Sequence, residues 1–130
     1  MAYITIIVML ALVQYLYFGV AVGRARGRHG VDAPAVSGDE NFERFFRAHQ
    51  NTLEQLVVFV PAIYAAGFYA NELYAVALGV VFLIARTHYF RTYIANPTRR
   101  GLGMIGTILA SVGLIAAAMV GAMHDILVNT

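Results

Sequence analysis

The chain has 130 residues, of which 60% are hydrophobic and only 12% are charged, and its mean hydropathy is +0.69. Soluble domains carry about 25% charged residues, so this composition excludes an ordinary soluble domain and predicts a polytopic membrane protein. All nine basic residues are arginine, and the net charge is +2. We expect this charge to face anionic lipid and not nucleic acid. With no cysteine and no histidine pair at ligand spacing, no metal site is predicted.

Four apolar segments follow one another along the chain, with predicted spans at residues 3–23, 42–70, 73–95 and 97–123 of one transmembrane domain. A loop rich in Gly, Pro, Ser and Asp joins the first two, and Asn71-Glu72 allows only a tight turn between the second and third. Asn96 and Pro97 provide a helix start before the fourth span. The sequence therefore predicts an all-α, up-and-down four-helix bundle in the membrane.

The arginines predict the orientation of this bundle. All nine lie in or beside the first and third connections, whereas the turn at Asn71-Glu72 and both termini contain none. Cytoplasmic loops of membrane proteins are rich in arginine and lysine, so we expect these two connections in the cytoplasm and both termini outside. The expected location is the bacterial inner membrane.

The second and third spans reach the about 20 residues that a bilayer requires only if their polar ends lie within or at the membrane. Ionisable residues at that depth indicate a functional site. Arg47, Asn51 and Glu54 are spaced i, i+4, i+7 and share one helix face. The alternative is an amphipathic helix start at the interface, with Arg47 extended toward water and Glu54 paired with an arginine.

The third helix has a similar row of polar residues, Arg86, Tyr89 and Tyr93, on one face. Taken alone, this row is also typical of an aromatic belt with arginine anchors at a membrane interface. The two rows lie at matched depth, because Glu54 comes 17 residues before Asn71 and Tyr89 comes 17 residues after Glu72. Convergence of these groups favours a site for a small zwitterionic ligand, and a salt-bridged structural layer is the alternative.

Arg100 follows Arg99 and is expected in the first turn of the fourth helix. Free backbone N–H groups and the helix dipole favour an anion there. A thiol has an ordinary pKa near ~8.5, and such a field would ionise it in part. The chain has no cysteine, so a thiol would have to belong to a substrate. The alternative reading of this arginine pair is a signal for membrane orientation alone.

Two segments resemble the MAPEG family, the membrane-associated proteins in eicosanoid and glutathione metabolism. Residues 42–54 read F-E-R-F-F-R-A-H-Q-N-T-L-E, which is similar to the family pattern F-E-R-x-x-R-A-x-x-N-x-x-E. Residues 86–100 are similar to the family pattern R-x-x-Y-x-x-x-Y…R. One departure is Gln55, where family members often have tyrosine.

The resemblance implies a homotrimer that binds glutathione between neighbouring subunits near the cytoplasmic side. It implies a glutathione transferase that attacks hydrophobic electrophiles entering from the bilayer lipid, with lipid hydroperoxide reduction as a further activity. The predicted glutathione-binding residues are Arg26, Arg47, Asn51, Glu54, Arg86, Tyr89 and Tyr93, and Arg100 is the predicted catalytic residue that stabilises the thiolate.

Two other functions are compatible with parts of this pattern. A non-catalytic lipid- or glutathione-binding protein would have the same fold, but such family members lack the arginine that Arg100 matches. A small transporter is less consistent with the sequence, because the polar rows cluster at one end of the helices and do not cross the membrane. The presence of Arg100 therefore favours an enzyme.

Overall fold

The computed structural model describes all 130 residues, which form four long helices and one short turn of 3₁₀ helix. The helices are α1 (Ala2–His29), α2 (Glu40–Tyr69), α3 (Glu72–Ala95) and α4 (Gly101–Asn129), and the 3₁₀ turn covers Pro97–Arg99. Each of the four helices is long and apolar enough to cross a membrane. The predicted all-α four-helix membrane bundle is confirmed.

Short polar side chains and one glycine determine where the helices begin and end. The Asp39 carboxylate accepts the N–H of Phe42 at 3.0 Å and caps α2, and the Asn71 side chain accepts the N–H of Tyr74 at 2.9 Å and caps α3. Gly30 ends α1 in the left-handed conformation, with φ of 68°. Because only residues 70 and 71 separate α2 from α3, these helices form the tight antiparallel hairpin expected from the sequence.

The start of the fourth helix differs from the expectation. Asn96 accepts the N–H of Thr98 at 3.1 Å and so begins the 3₁₀ turn, while α4 begins only at Gly101. Arg100 is therefore the residue that precedes α4, and its carbonyl accepts the N–H of Met104 at 3.0 Å. It lies at the N-terminus of α4 but outside the first turn, because the proline nucleates a separate short turn before the long helix.

Helices α1 and α4 also continue beyond the predicted spans, to His29 and Asn129. A helix satisfies its own backbone hydrogen bonds, so it has no physical reason to end at the membrane surface. Arg26, Arg28 and His29 in the last turn of α1 further favour the extension, because positive charges interact well with a helix C-terminus.

Three clusters of buried side chains hold the bundle together, and the smallest, Val22, Ala25, Val31 and Phe42, joins the end of α1 to the start of α2. In the largest one, the stacked rings of Phe59 and Phe82, 3.8 Å apart at their centroids, join α2 to α3. A second cluster, of five residues, lies toward the arginine-rich end, and we call it the aromatic cluster. Its members are Phe18, Ala48, Tyr89, Phe90 and Tyr93, and the rings of Phe18 and Phe90 stack at 4.0 Å. This stacking places Phe18 of α1 at the same depth as Phe90 of α3.

Helix α4 packs tightly against α3 at Gly103. A Cβ atom at this position would lie 2.7 Å from both the Cα and the backbone N of Tyr89, a separation that real side chains do not tolerate. The glycine therefore allows α4 to rest directly against the backbone of α3. This contact sets the position of Tyr89 relative to Arg100, which lies three residues before Gly103.

We predict that Gly103→Ala lowers the free energy of unfolding by about 1–3 kcal/mol, the usual cost of overpacking. The new methyl group must displace backbone, and backbone cannot rotate away as a side chain can. Gly101→Ala is the matched control, because nothing lies within 4 Å of a Cβ at Gly101. Unfolding by sodium dodecyl sulfate, followed by circular dichroism, measures both variants. Equal stability of the two would show that α3 and α4 do not press together at Tyr89.

Candidate functional site

An open cavity of about 390 Å³ lies at the arginine-rich end of the bundle, between α2, α3 and the start of α4. Its lining residues are Phe46, Arg47, Gln50, Asn51, Glu54, Tyr89, Tyr93, Arg100 and Met104. Six of the eight predicted site residues thus share one cavity, and the two that do not are Arg26 and Arg86. We call this space the polar cavity.

The α2 wall of the polar cavity is the row predicted from helical spacing. The Nη2 atom of Arg47 lies 3.8 Å from a carboxylate oxygen of Glu43, one turn earlier on the same helix, and the Arg47 side chain is 67% exposed. Glu54 makes no ion pair. The alternative in which Glu54 pairs with an arginine is therefore not seen within the subunit. An exposed pair such as Arg47–Glu43 is weak and easily exchanged for a ligand.

The α3 wall consists of two tyrosines whose rings stack on each other. The ring centroids of Tyr89 and Tyr93 are 5.5 Å apart, and both residues belong to the aromatic cluster. Their rings are largely buried, with 3% and 8% of the residue surface exposed. A buried ring with a hydroxyl group at its edge combines a rigid apolar body with a hydrogen-bonding tip. This wall is therefore rigid and can still bond to a polar ligand.

Arg86, predicted to bind the ligand, is instead completely buried behind the wall of the polar cavity. Its guanidinium donates to the side-chain oxygens of Asn51 at 2.9 Å, Thr52 at 2.8 Å and Thr107 at 3.4 Å. The guanidinium carbon also lies 4.2 Å from the ring centre of Tyr89. One side chain thus links α2, α3 and α4. Within the subunit, Arg86 positions two lining residues and does not itself face the cavity.

Arg26 also lies away from the polar cavity of its own subunit. It donates to the backbone carbonyl oxygens of Val31 at 3.5 Å and Ala35 at 2.5 Å. Its guanidinium carbon lies 4.8 Å from the ring centre of Phe42. These contacts hold the connection between α1 and α2.

Arg100 completes the polar cavity from the side of α4. It is exposed, makes no ion pair, and lies directly before the first free N–H groups of that helix. The cavity therefore contains charge of both signs: Arg100 and Glu54 have no ion-pair partner, and Arg47 has only its weak, exposed pair with Glu43. Guanidinium groups bind carboxylates through paired hydrogen bonds. The arrangement suits a zwitterion that carries an ammonium group and more than one anionic group.

Three lining residues were not predicted from the sequence, namely Phe46, Gln50 and Met104. Gln50 follows Arg47 by three residues and precedes Glu54 by four, so the spacing that defined the α2 row would also have included it. Phe46 and Met104 are indistinguishable in the sequence from ordinary apolar packing residues. They give the polar cavity an apolar edge.

Fold and cavity together define a small multi-pass membrane protein with a charged cavity at one end of a four-helix bundle. The sequence profile of the MAPEG family matches residues 4–120. This match covers nearly the whole chain, and the protein belongs to the MAPEG family.

Individual relatives agree with this assignment. The chain is 36% identical to microsomal glutathione S-transferase 2 of Bos taurus over 115 residues, which covers 82% of this chain and 79% of the relative. It is 31% identical to leukotriene C4 synthase of Cavia porcellus over 126 residues, or 97% of this chain and 84% of the relative. An uncharacterised Synechocystis protein is 36% identical over 121 residues, or 93% and 88% of the two chains. The last match supports the bacterial origin expected from the sequence.

Proposed function

We propose that this protein is a membrane glutathione transferase, which ionises the thiol of glutathione and directs it at hydrophobic electrophiles. One observation carries the proposal: Arg100, at a helix N-terminus, shares a cavity with the row of Arg47, Asn51 and Glu54, in which the Glu54 carboxylate has no ion-pair partner. The relatives named as a glutathione transferase and as leukotriene C4 synthase support the same class of reaction.

Glutathione has an ammonium group and two carboxylates at its ends and a thiol between them, so it matches the charges of the polar cavity. In the proposed complex, Glu54 accepts hydrogen bonds from the γ-glutamyl ammonium group, and Arg47 binds a carboxylate. The Asn51 amide and the hydroxyl groups of Tyr89 and Tyr93 bond to the peptide and carboxylate groups. None of these contacts changes when the thiol reacts, so they contribute affinity and orientation.

Arg100 contacts the one group that changes charge. Its guanidinium, together with the N-terminus of α4, lowers the pKa of the bound thiol from ~8.5 and favours the thiolate. The thiolate sulfur donates an electron pair to an electrophilic carbon and forms an S–C bond. The bond from that carbon to the leaving group breaks, and the leaving group departs with its electrons. In an epoxide the C–O bond breaks instead, and the oxygen then takes a proton from water.

The same thiolate also attacks the O–O bond of a lipid hydroperoxide. That attack releases the lipid alcohol and leaves a sulfenic acid on glutathione. A second glutathione then forms the disulfide and releases water, which completes the two-electron reduction. In both reactions the apolar substrate reaches the sulfur from the bilayer, past the apolar edge made by Phe46 and Met104. The arginine-rich end, and with it the polar cavity, faces the cytoplasm in this proposal, and both termini face the opposite side.

The proposed assembly is a homotrimer. A cavity that holds three charged side chains is too polar to face lipid, where each polar group without a partner costs several kcal/mol. A neighbouring subunit would cover the polar cavity and bring its own Arg26, which cannot reach the site within its own chain. Glutathione would then lie between subunits.

We predict that the protein purified in mild detergent has three times the mass of the chain, which is 14.2 kDa. Light scattering coupled to size-exclusion chromatography, with the detergent contribution subtracted, measures this mass. We also expect Arg26→Ala to weaken glutathione binding without changing the trimer. A stable monomer that binds glutathione with full affinity would contradict the intersubunit site.

We predict that Arg47→Ala and Glu54→Gln raise the dissociation constant for glutathione about ten- to hundredfold. A charge-assisted hydrogen bond is worth roughly 1.5–3 kcal/mol, which corresponds to that range. The matched controls are Arg44→Ala and Glu40→Gln, because Arg44 and Glu40 bond to each other outside the polar cavity. Isothermal titration calorimetry in detergent gives the four constants. If the cavity variants bind as tightly as the controls, the α2 row is only structural.

We predict that Arg100→Ala abolishes thiolate formation while retaining much of the affinity for glutathione. The pKa of the bound thiol should rise by at least about one unit, worth about 1.4 kcal/mol, and the rate at neutral pH should fall about tenfold or more. The ultraviolet absorbance of the thiolate, recorded against pH with stoichiometric glutathione, measures this pKa. Arg99→Ala is the control, because Arg99 is exposed in the 3₁₀ turn and does not line the polar cavity.

The same titration separates the enzyme from the alternative, a non-catalytic binding protein on this fold. A stoichiometric thiolate signal in the wild-type protein supports the transferase. Glutathione that binds with an unperturbed thiol supports the binding protein. Loss of the thiolate in Arg99→Ala with retention in Arg100→Ala would contradict the role assigned to Arg100.

A further inference from the structure

A second cavity, of about 540 Å³, lies between α1 and α3. Its walls are mostly apolar and include Leu10, Val13 and Phe18 from α1 and Phe90 and Ile94 from α3. This volume lies within the about 300–1,000 Å³ that is usual for small-molecule sites. We call this space the α1–α3 groove.

The groove is separate from the polar cavity. Phe18 and Phe90 line the groove, whereas Tyr89 and Tyr93 line the polar cavity, and all four belong to the aromatic cluster. The packed rings of this cluster therefore stand between the two spaces. A molecule in the groove cannot place a reactive carbon beside Arg100, so the proposed transferase reaction leaves the groove without a role.

The length of the groove matches one leaflet of a membrane. It extends from Leu10 to Ala21 along α1, which is about 16 Å at 1.5 Å per residue. Half of the hydrocarbon core of a bilayer is about 15 Å thick. Leu10 lies near the middle of the predicted first span, and Ala21 lies near its arginine-rich end. An acyl chain can therefore follow the groove from the membrane surface to the midplane.

Positive charge lies at the surface end of the groove. Arg91 is at the rim, is exposed, and makes neither an ion pair nor a hydrogen bond within the chain. Arg24 and Arg28 line a small adjoining cavity that shares Tyr17 and Ala21 with the groove. No carboxylate lines either space. Three guanidinium groups thus line this end of the groove and its adjoining cavity, and neither lining contains a carboxylate to balance them.

We propose that the α1–α3 groove binds an anionic glycerophospholipid of the leaflet at the arginine-rich end of the bundle. One acyl chain lies along Leu10, Val13 and Phe18, and the phosphate accepts hydrogen bonds from Arg91 and from the arginines of the adjoining cavity. Guanidinium groups bind phosphate through paired hydrogen bonds, and basic residues at a membrane surface select anionic lipid. A lipid with a neutral headgroup fills the same apolar walls but gains less from the arginines.

The chain has no tryptophan, so a single introduced tryptophan reports on the lipid beside it. Tyr17→Trp places the reporter on the groove, and Ile105→Trp places a control on α4. The two positions are 66% and 56% exposed. The two positions also lie at similar depth. Ile105 comes two residues after Gly103, which rests against Tyr89, and Tyr17 precedes Phe18, which stacks on Phe90, the residue after Tyr89.

Both reporters are placed in phosphatidylcholine nanodiscs with increasing fractions of dibrominated phosphatidylglycerol, which quenches tryptophan fluorescence on contact. We expect half-maximal quenching of Tyr17→Trp at a mole fraction about tenfold lower than for Ile105→Trp. Adding Arg91→Gln should make the two curves coincide, and adding Arg99→Gln should leave them apart. Ala21→Leu fills the groove without removing charge, and it should also make the two quenching curves coincide.

Three results would overturn the proposal. The first is identical quenching curves for Tyr17→Trp and Ile105→Trp in the otherwise wild-type protein. The second is equally strong quenching of Tyr17→Trp by dibrominated phosphatidylcholine, which would show a groove without headgroup selectivity. The third is a Tyr17→Trp reporter that neither brominated lipid quenches, which would show that a second copy of the chain covers the groove.

Discussion

The buried guanidinium of Arg86 is the interaction on which the arrangement of this bundle depends. A charge inside a membrane protein is costly unless its donors find partners. The two terminal nitrogens of Arg86 donate to Asn51 and Thr52 on α2 and to Thr107 on α4, and only its buried Nε has no partner. These bonds form only when α2, α3 and α4 have one relative depth and rotation. The same bonds orient Asn51 toward the polar cavity, and the guanidinium packs over Tyr89. Stability and site geometry therefore share one cause.

Two charged groups of the polar cavity differ from Arg86, because they have no bonding partner within the subunit. Glu54 and Arg100 have no partners in the subunit, although both lie close to groups that carry charge. A structural layer of salt bridges would have paired them, because unpaired charge at a membrane boundary contributes nothing to folding. Charges left without partners beside a buried guanidinium that makes three side-chain hydrogen bonds are typical of a ligand site. This contrast, together with membership of the MAPEG family, is the basis of the proposed glutathione chemistry.

The aromatic cluster gives the arginine-rich end two separate spaces. Its stacked rings of Phe18 and Phe90 join α1 to α3, and its tyrosines form the α3 wall of the polar cavity. The polar cavity has charges of both signs and opens beside α4, whereas the α1–α3 groove is apolar with arginines of one sign at its end. One space suits a zwitterion and the other an anionic amphiphile, so a single end of the bundle has two cavities of different chemistry.

Local patterns in the sequence determined the helices, the hairpin and most of the candidate site. Arg47, Asn51 and Glu54 share a face because of helical spacing, and Tyr89 meets them because the turn at residues 70 and 71 is too short to shift the depth of α3. Tertiary structure decided what spacing alone does not distinguish. Arg86 and Tyr89 lie in the same row of α3, but only Tyr89 lines the polar cavity. Arg86 is buried because its guanidinium donates hydrogen bonds to Thr52 and Thr107 on the neighbouring helices. The α1–α3 groove also could not be predicted from the sequence. It depends on how α1 packs against α3, and contacts between helices that are distant in sequence leave no periodic pattern in the sequence of either helix.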